Sequence, residues 1–249
     1  MWRIRKWIEF GHSLLAPRRE RCALCGAVHG EASESLSTFC RRCGERVPWI
    51  TDVACDVCGR PEACPDCPRR AVTFFVKNRS AVRYSPEMKA FLARYKFRGD
   101  ERLRDVFVDM LVRAYRGLMA ERDVAGTRFD CIAFVPVAPE RLMERGFNQA
   151  EQMATGLGKA IRVPVVPLIT RVRHTDKQSK KSRIERLEAL SEAFACDAAA
   201  LRQFKSVGSP LRVLLVDDVY TTGSTLNQCA KAICASLPAR VYGLTWARS

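Results

Sequence analysis

Between Cys22 and Cys67 the chain repeats one spacing four times, as the pairs Cys22/Cys25, Cys40/Cys43, Cys55/Cys58 and Cys64/Cys67. A Cys-x2-Cys turn presents two thiolates to one side of a tetrahedral ion, and two such turns close a structural site. Eight ligands make two sites, so this stretch is expected to fold around one or two structural zinc ions. Sequence order groups Cys22, Cys25, Cys40 and Cys43 in the first site and Cys55, Cys58, Cys64 and Cys67 in the second; a crossed grouping uses the same ligands. The 14 residues between Cys25 and Cys40 are enough for a hairpin, whereas the 5 between Cys58 and Cys64 demand a compact loop, helped by Gly59 and Pro61. Disulfides would need an oxidising compartment. The N-terminus starts basic, but Glu9, Gly11 and His12 interrupt any apolar signal core. A cytoplasmic location is therefore expected, and Trp2, Trp7, Ile8, Leu14 and Leu15 suit a short amphipathic helix that packs on the body or, alternatively, lies on a membrane surface.

The second constraint lies near the other end. Val213 to Val216 is the short apolar run of a buried parallel strand, and Ser224 to Ser236 reads as a helix with Leu226, Ala230 and Ile233 on one face. Between them stand Asp217, Asp218 and the turn Thr221-Thr222-Gly223-Ser224-Thr225. Unpaired N–H groups at a helix N-terminus carry partial positive charge, so this turn can wrap a phosphate. The two carboxylates just before it are acceptors for vicinal hydroxyls. Phosphate and sugar would be read together.

No apolar run approaches the roughly 20 residues needed to cross a bilayer. Lys and Arg number 42 against 27 acids, a formal +15 that eight thiolates and two zinc ions would reduce to about +11. Residues 171–186 hold seven Lys or Arg, Lys177 and Lys181 among them, against two acids. A polyanion is the partner implied, either pyrophosphate under a mobile loop or nucleic acid on a basic face. Cys131, Cys196, Cys229 and Cys234 share no motif spacing and read as small core residues. Composition changes near residues 68–71, which predicts a metal module over 1–70 and a second domain over 71–249. There, Val72 to Tyr84 reads as two strands around Lys77–Ser80. A helix opened by Pro86 follows, then a helix from Glu101, a strand over Phe129–Val137, a strand over Val163–Thr170 and a last strand over Val241–Trp246. Such alternation predicts an α/β fold with a mostly parallel, doubly wound sheet and its ligand at the carboxyl ends of the strands.

The string Asp217-Asp218-x-x-Thr221-Thr222-Gly223-x-Thr225 resembles the 5-phosphoribosyl-1-pyrophosphate (PRPP) signature of type I phosphoribosyltransferases. Together with Lys96-Phe97-Arg98-Gly99-Asp100, Arg145-Gly-Phe-Asn-Gln149 and the cysteine pairs, it makes nearly the whole chain resemble the ComF family. That resemblance implies a type I phosphoribosyltransferase fold behind an N-terminal zinc module. It also implies PRPP bound with magnesium, Asp217 and Asp218 on the ribose hydroxyls, and Thr221, Thr222, Gly223, Ser224 and Thr225 on the 5-phosphate. Pyrophosphate would lie against residues 137–141, with Arg145 and Arg141 as phosphate ligands and Lys177 and Lys181 closing from the basic loop. The helix pair around Gly99 would form a hood. Thr221 stands where purine-salvage relatives carry an aspartate base. Two classes follow: a transferase releasing pyrophosphate from PRPP, and a phosphoribosyl-binding or nucleic-acid-binding module without turnover. The family also implies natural transformation, with single-stranded DNA and competence proteins as partners.

Overall fold

The computed structural model describes residues 20–29, 38–98, 102–172, 193–204 and 209–249. The expected N-terminal helix and all but the first two residues of the basic segment 171–186, including Lys177 and Lys181, lie outside that set. Two compact units divide at Val47/Pro48. In the first, strands β1 (Glu20–Arg21) and β2 (Val28–His29) pair antiparallel, and helix α1 (Arg41–Arg46) follows Cys40.

The second unit is built on four parallel strands in the order β3 (Phe75–Arg83), β8 (Ala239–Arg248), β7 (Leu211–Tyr220) and β4 (Cys131–Phe134). Helices α2 (Pro86–Arg98) and α3 (Arg102–Ala120) connect β3 to β4, while α4 (Pro139–Arg145) and α5 (Gln149–Ile161) follow β4. A small antiparallel ladder joins β5 (Ile169–Arg171) to β6 (Phe194–Cys196), with α6 (Ala198–Leu201) after it. Helix α7 (Ser224–Ser236) then links β7 to β8. The strand expected over Val163–Thr170 is instead a single bridge at Val165, beside Ile132, followed by β5.

Strand alternation divides the core. Trp246 meets Phe107 of α3 edge-on at 4.7 Å, and Phe107 stacks on Phe91 and Tyr95, a cluster in which each aromatic pair is worth about 1 kcal/mol beyond its buried area. Val241, of opposite parity, packs with Val213 and Leu215 against Leu226, Cys229, Ala230 and Ile233 of α7. Gly156 lets α5 close on α3, because a Cβ there would collide with Val108.

Residues 75–83 form one strand, not two. Lys77-Asn78-Arg79-Ser80 looks like a turn in sequence, yet all four are buried. Burial works against the Lys77 charge, but Asp123, Glu121 and Asp56 hold it at 2.7, 2.8 and 3.1 Å and raise its pKa above the usual lysine range. Arg79 is shared between Asp56 and Glu121 at 2.8 and 2.7 Å, so neither buried cation is left unpaired. Asn78, Ser80 and Thr245 hydrogen-bond one another in the interior. The segment before β3 covers its free side: Trp49 bridges Val82 antiparallel, and the Ile50 and Asn78 amides donate to Ala81 and Val57.

Candidate functional site

The sulfurs of Cys22, Cys25, Cys40 and Cys43 lie within 4.8 Å of one another, and so do those of Cys55, Cys58, Cys64 and Cys67. The grouping is the sequential one. Four thiolates about 2.3 Å from a tetrahedral ion stand about 3.8 Å apart; Cys25 and Cys40 are at 4.0 Å and Cys58 and Cys64 at 3.5 Å, so both groups fit zinc. Burial pushes the Cys22 thiol up, but the backbone N–H groups of Cys25, Cys40 and Leu24 outweigh it and bring it to about 6. At Cys64 burial is likewise outweighed by the N–H groups of Cys67 and Asp66, again to about 6. Amides aimed at sulfur favour the thiolate at these two positions, while burial and the neighbouring cysteine sulfurs push Cys43, Cys58 and Cys67 up.

The two groups differ in setting. The first lies in the unit ending at Val47, whereas the second packs into the core of the larger unit, with Cys58 fully buried. The compact unit therefore begins before the second cysteine group, while the composition break lies after it near residue 70.

At the other site, β7 runs on through Asp217, Asp218 and Tyr220, and Tyr220 still pairs with Arg248 of β8. The aspartates thus sit on a rigid strand, and Thr221-Thr222-Gly223 alone makes the turn into α7. Gly223 caps that helix at φ 78°. A Cβ there would collide with the Tyr220 hydroxyl and crowd Arg70, so glycine is required by the turn's own packing. Thr221, Thr222, Ser224 and Thr225 are exposed, and the Thr222 and Ser224 hydroxyls are 2.9 Å apart.

Lys96 of α2, in the expected hood, pairs with Asp218. Asp217 has the opposite balance: burial, then the charge of Asp218, push it to about 8, against the Asp218 amide that donates to it at 2.8 Å and the more distant Lys96. Tyr84 faces the same place, raised by burial and by Asp218. The described residues thus place two carboxyl groups, the Lys96 ammonium, the Arg70 guanidinium and an exposed helix N-terminus together. Chemically, such an arrangement can take a polar ligand carrying an anionic group.

Strand β4 neighbours β7 in parallel, so the segment after it leaves from the same end of the sheet. Proline at the first position starts α4 at Pro139, leaving only Val137 and Ala138 of the expected pyrophosphate loop outside a helix. Arg141 is exposed on α4. Arg145, in its last turn, donates to Gln149 at 3.0 Å. Asn148 caps α5, accepting from the Ala150 amide and donating to the Val135 carbonyl, both at 3.0 Å. Two clefts of about 620 Å³ lie elsewhere, one beside Asp56, Arg79 and Arg113 and one beside Asp109, Phe147 and Glu151.

Sequence reasoning left out Arg70, Tyr84 and Tyr220 and assigned no role to Lys96. Lys96 stood inside the expected hood segment and Tyr220 inside the motif string itself, so both had a signal; Arg70 and Tyr84 are brought in by tertiary packing.

No protein-family model matches the chain. It is 30% identical over 203 residues to Competence protein ComFC of Bacillus subtilis (strain 168), across 78% of this chain and 77% of that protein. Over 232 residues it is 29% identical to Competence protein ComFC of Streptococcus pneumoniae, covering 86% of this chain and 93% of the other. DNA utilization protein YhgH of Salmonella typhimurium is 28% identical over 184 residues, 72% of this chain and 77% of that one. Among solved structures, an adenine phosphoribosyltransferase aligns at TM-score 0.38 and 16% identity, over 64% of this chain and 75% of that one. No helix among the described residues is long and apolar enough to cross a membrane.

Proposed function

From the premise that this chain belongs to the ComFC family of competence proteins, we propose that it is a cytoplasmic phosphoribosyltransferase-like protein that binds PRPP with magnesium and acts on incoming single-stranded DNA in natural transformation. The observation that carries the ligand is Asp217 and Asp218 on the end of β7, next to the N-terminus of α7. The 5-phosphate lies against the amides and hydroxyls of Thr221 to Thr225, and the ribose hydroxyls donate to the two aspartates. Lys96 gives up Asp218 to the sugar and turns to the leaving group. Arg145 and Arg141 serve pyrophosphate from the neighbouring strand end, with Lys177 and Lys181 of the basic segment as further cations for it. Magnesium, when bound, neutralises charge on the departing pyrophosphate. The protein's own part is positioning: the strand-held side chains of Asp217 and Asp218 fix the sugar while charge develops at C1.

A second reading, binding without turnover, is supported by Thr221, an exposed hydroxyl that is no general base. Calorimetry with PRPP and magnesium tests the site and pyrophosphate release tests turnover. Asp218→Asn should weaken binding at least tenfold, since it removes buried hydrogen bonds to a charged group. No binding by the wild type would defeat the reading; binding without pyrophosphate release across candidate acceptors would select the second. The name of the Salmonella relative supports the DNA part, which a salt-dependent single-strand binding assay addresses.

A further inference from the structure

The second cysteine group and the turn before α7 are joined by two arginines. Arg70 lies three residues after Cys67, at the exit of the cysteine loop, its amide bonded to the Cys67 carbonyl at 3.2 Å. Its guanidinium lies over the Phe75 ring and donates from Nη2 to the Thr222 carbonyl and, at 3.2 Å, to the Tyr220 hydroxyl. That hydroxyl is the group against which Gly223 is packed. Arg248, almost wholly buried, spans from the other side. It donates to Cys58 Sγ at 3.8 Å and to the Tyr220 carbonyl at 3.4 Å, lies 4.7 Å over the Tyr220 ring, and meets Asp66 at 3.6 Å. Asn227, in the first turn of α7, is bonded to Val72 and Phe74 just beyond Arg70.

The turn therefore has few internal bonds and borrows its shape. Its carbonyl at Thr222 and the first turn of α7 are held by Arg70, Val72 and Phe74, which follow the cysteine loop, and its packing surface at Tyr220 is held by Arg70 and by Arg248, a β8 residue that also meets Cys58 and Asp66. A Cys-x2-Cys loop without its ion loses the cross-link that defines it.

We propose that the second cysteine group is the scaffold of the phosphate turn, with Arg70 and Arg248 as positioning residues, so that metal at Cys55, Cys58, Cys64 and Cys67 and ligand at Thr221 to Thr225 bind cooperatively. This rests on the reading of the turn as the phosphate site. The coupling is reciprocal: ligand must tighten the hold on one metal ion by the factor by which that ion tightens the ligand.

The test uses the zinc-loaded full chain as wild type, Arg70→Ala and Cys64→Ser, with PRPP and magnesium as probe. Calorimetry, zinc affinity with and without PRPP, and peptide hydrogen exchange over residues 219–228 are measured together. Arg70→Ala should keep its zinc, lose roughly tenfold in PRPP affinity, exchange faster over 219–228 with β4 unchanged, and show no PRPP-dependent gain in zinc affinity. Cys64→Ser should lose one zinc and show at least the same loosening. If Cys64→Ser does not fold, Arg70→Ala decides. Wild-type exchange over 219–228 in either folded variant overturns the proposal. If the wild type binds no PRPP, the phosphate reading fails and the exchange data alone judge the scaffold.

Discussion

Asp217 allows a quantitative test that does not depend on the ligand. Its carboxyl sits at about 8 in the native state, against an ordinary value of 3.8, chiefly through burial and then through Asp218. Below pH 4 both folded and unfolded chains hold the proton. Between about 4 and 8 the unfolded chain has released it while the native state retains it, so the unfolded state binds fewer protons and stability falls as pH rises. Above 8 both are ionised and the penalty is complete. The slope for one group is about 1.4 kcal/mol per pH unit and halves as the pH reaches 8, so from pH 6 to 8 this residue alone should remove about 2 kcal/mol. Asparagine keeps the acceptor for the Asp218 amide and cannot ionise. Denaturant unfolding of wild type and Asp217→Asn across pH 6 to 8.5 should therefore show the variant gaining on the wild type by about that amount, levelling off above 8. A difference that stays constant over the interval would refute the assignment.

Elemental analysis of the purified protein should return one zinc for each of the two cysteine groups, and a single ion would retire one of them. Gly223→Ala should lower the melting temperature, because it forces a left-handed φ on alanine and drives its Cβ into Tyr220; an unchanged midpoint would contradict the turn geometry. Replacing Lys177, Lys180, Lys181 and Arg183 by Ala should flatten the salt dependence of single-stranded DNA binding by up to ~0.7 for each DNA phosphate that is no longer neutralised, whereas abolished PRPP binding with intact DNA binding would assign the segment to the pocket.

The parts of this fold that depend on local pattern were legible in the sequence. Cysteine spacing identified both four-cysteine clusters, the apolar run before Asp217 located β7, and Ser224 to Ser236 is a helix from end to end. What failed depends on distant partners. Lys77 to Ser80 looked like a turn because four polar residues rarely fill a buried strand. Asp56, Glu121, Asp123 and Thr245, far along the chain, make it possible. The same holds for Arg70, one of two adjacent arginines just after Cys67 in the sequence and the one that reaches the turn by packing. A compositional break near residue 70 records where the paired cysteines end; the compact unit starts earlier because residues 48–57 are bonded to β3.

That last attachment bears on solubility. β3 is an outer strand of the sheet, and an uncovered outer strand offers unpaired amides and carbonyls to any passing chain. Here the cover is the stretch from Pro48 to Val57, which runs into Cys55 and Cys58. Stripping the second metal would loosen the cover together with its anchor, leaving a sheet margin guarded only by the inward charges of Lys77 and Arg79. Aggregation on exposure to chelator, even without global unfolding, is thus built into the way this margin is closed.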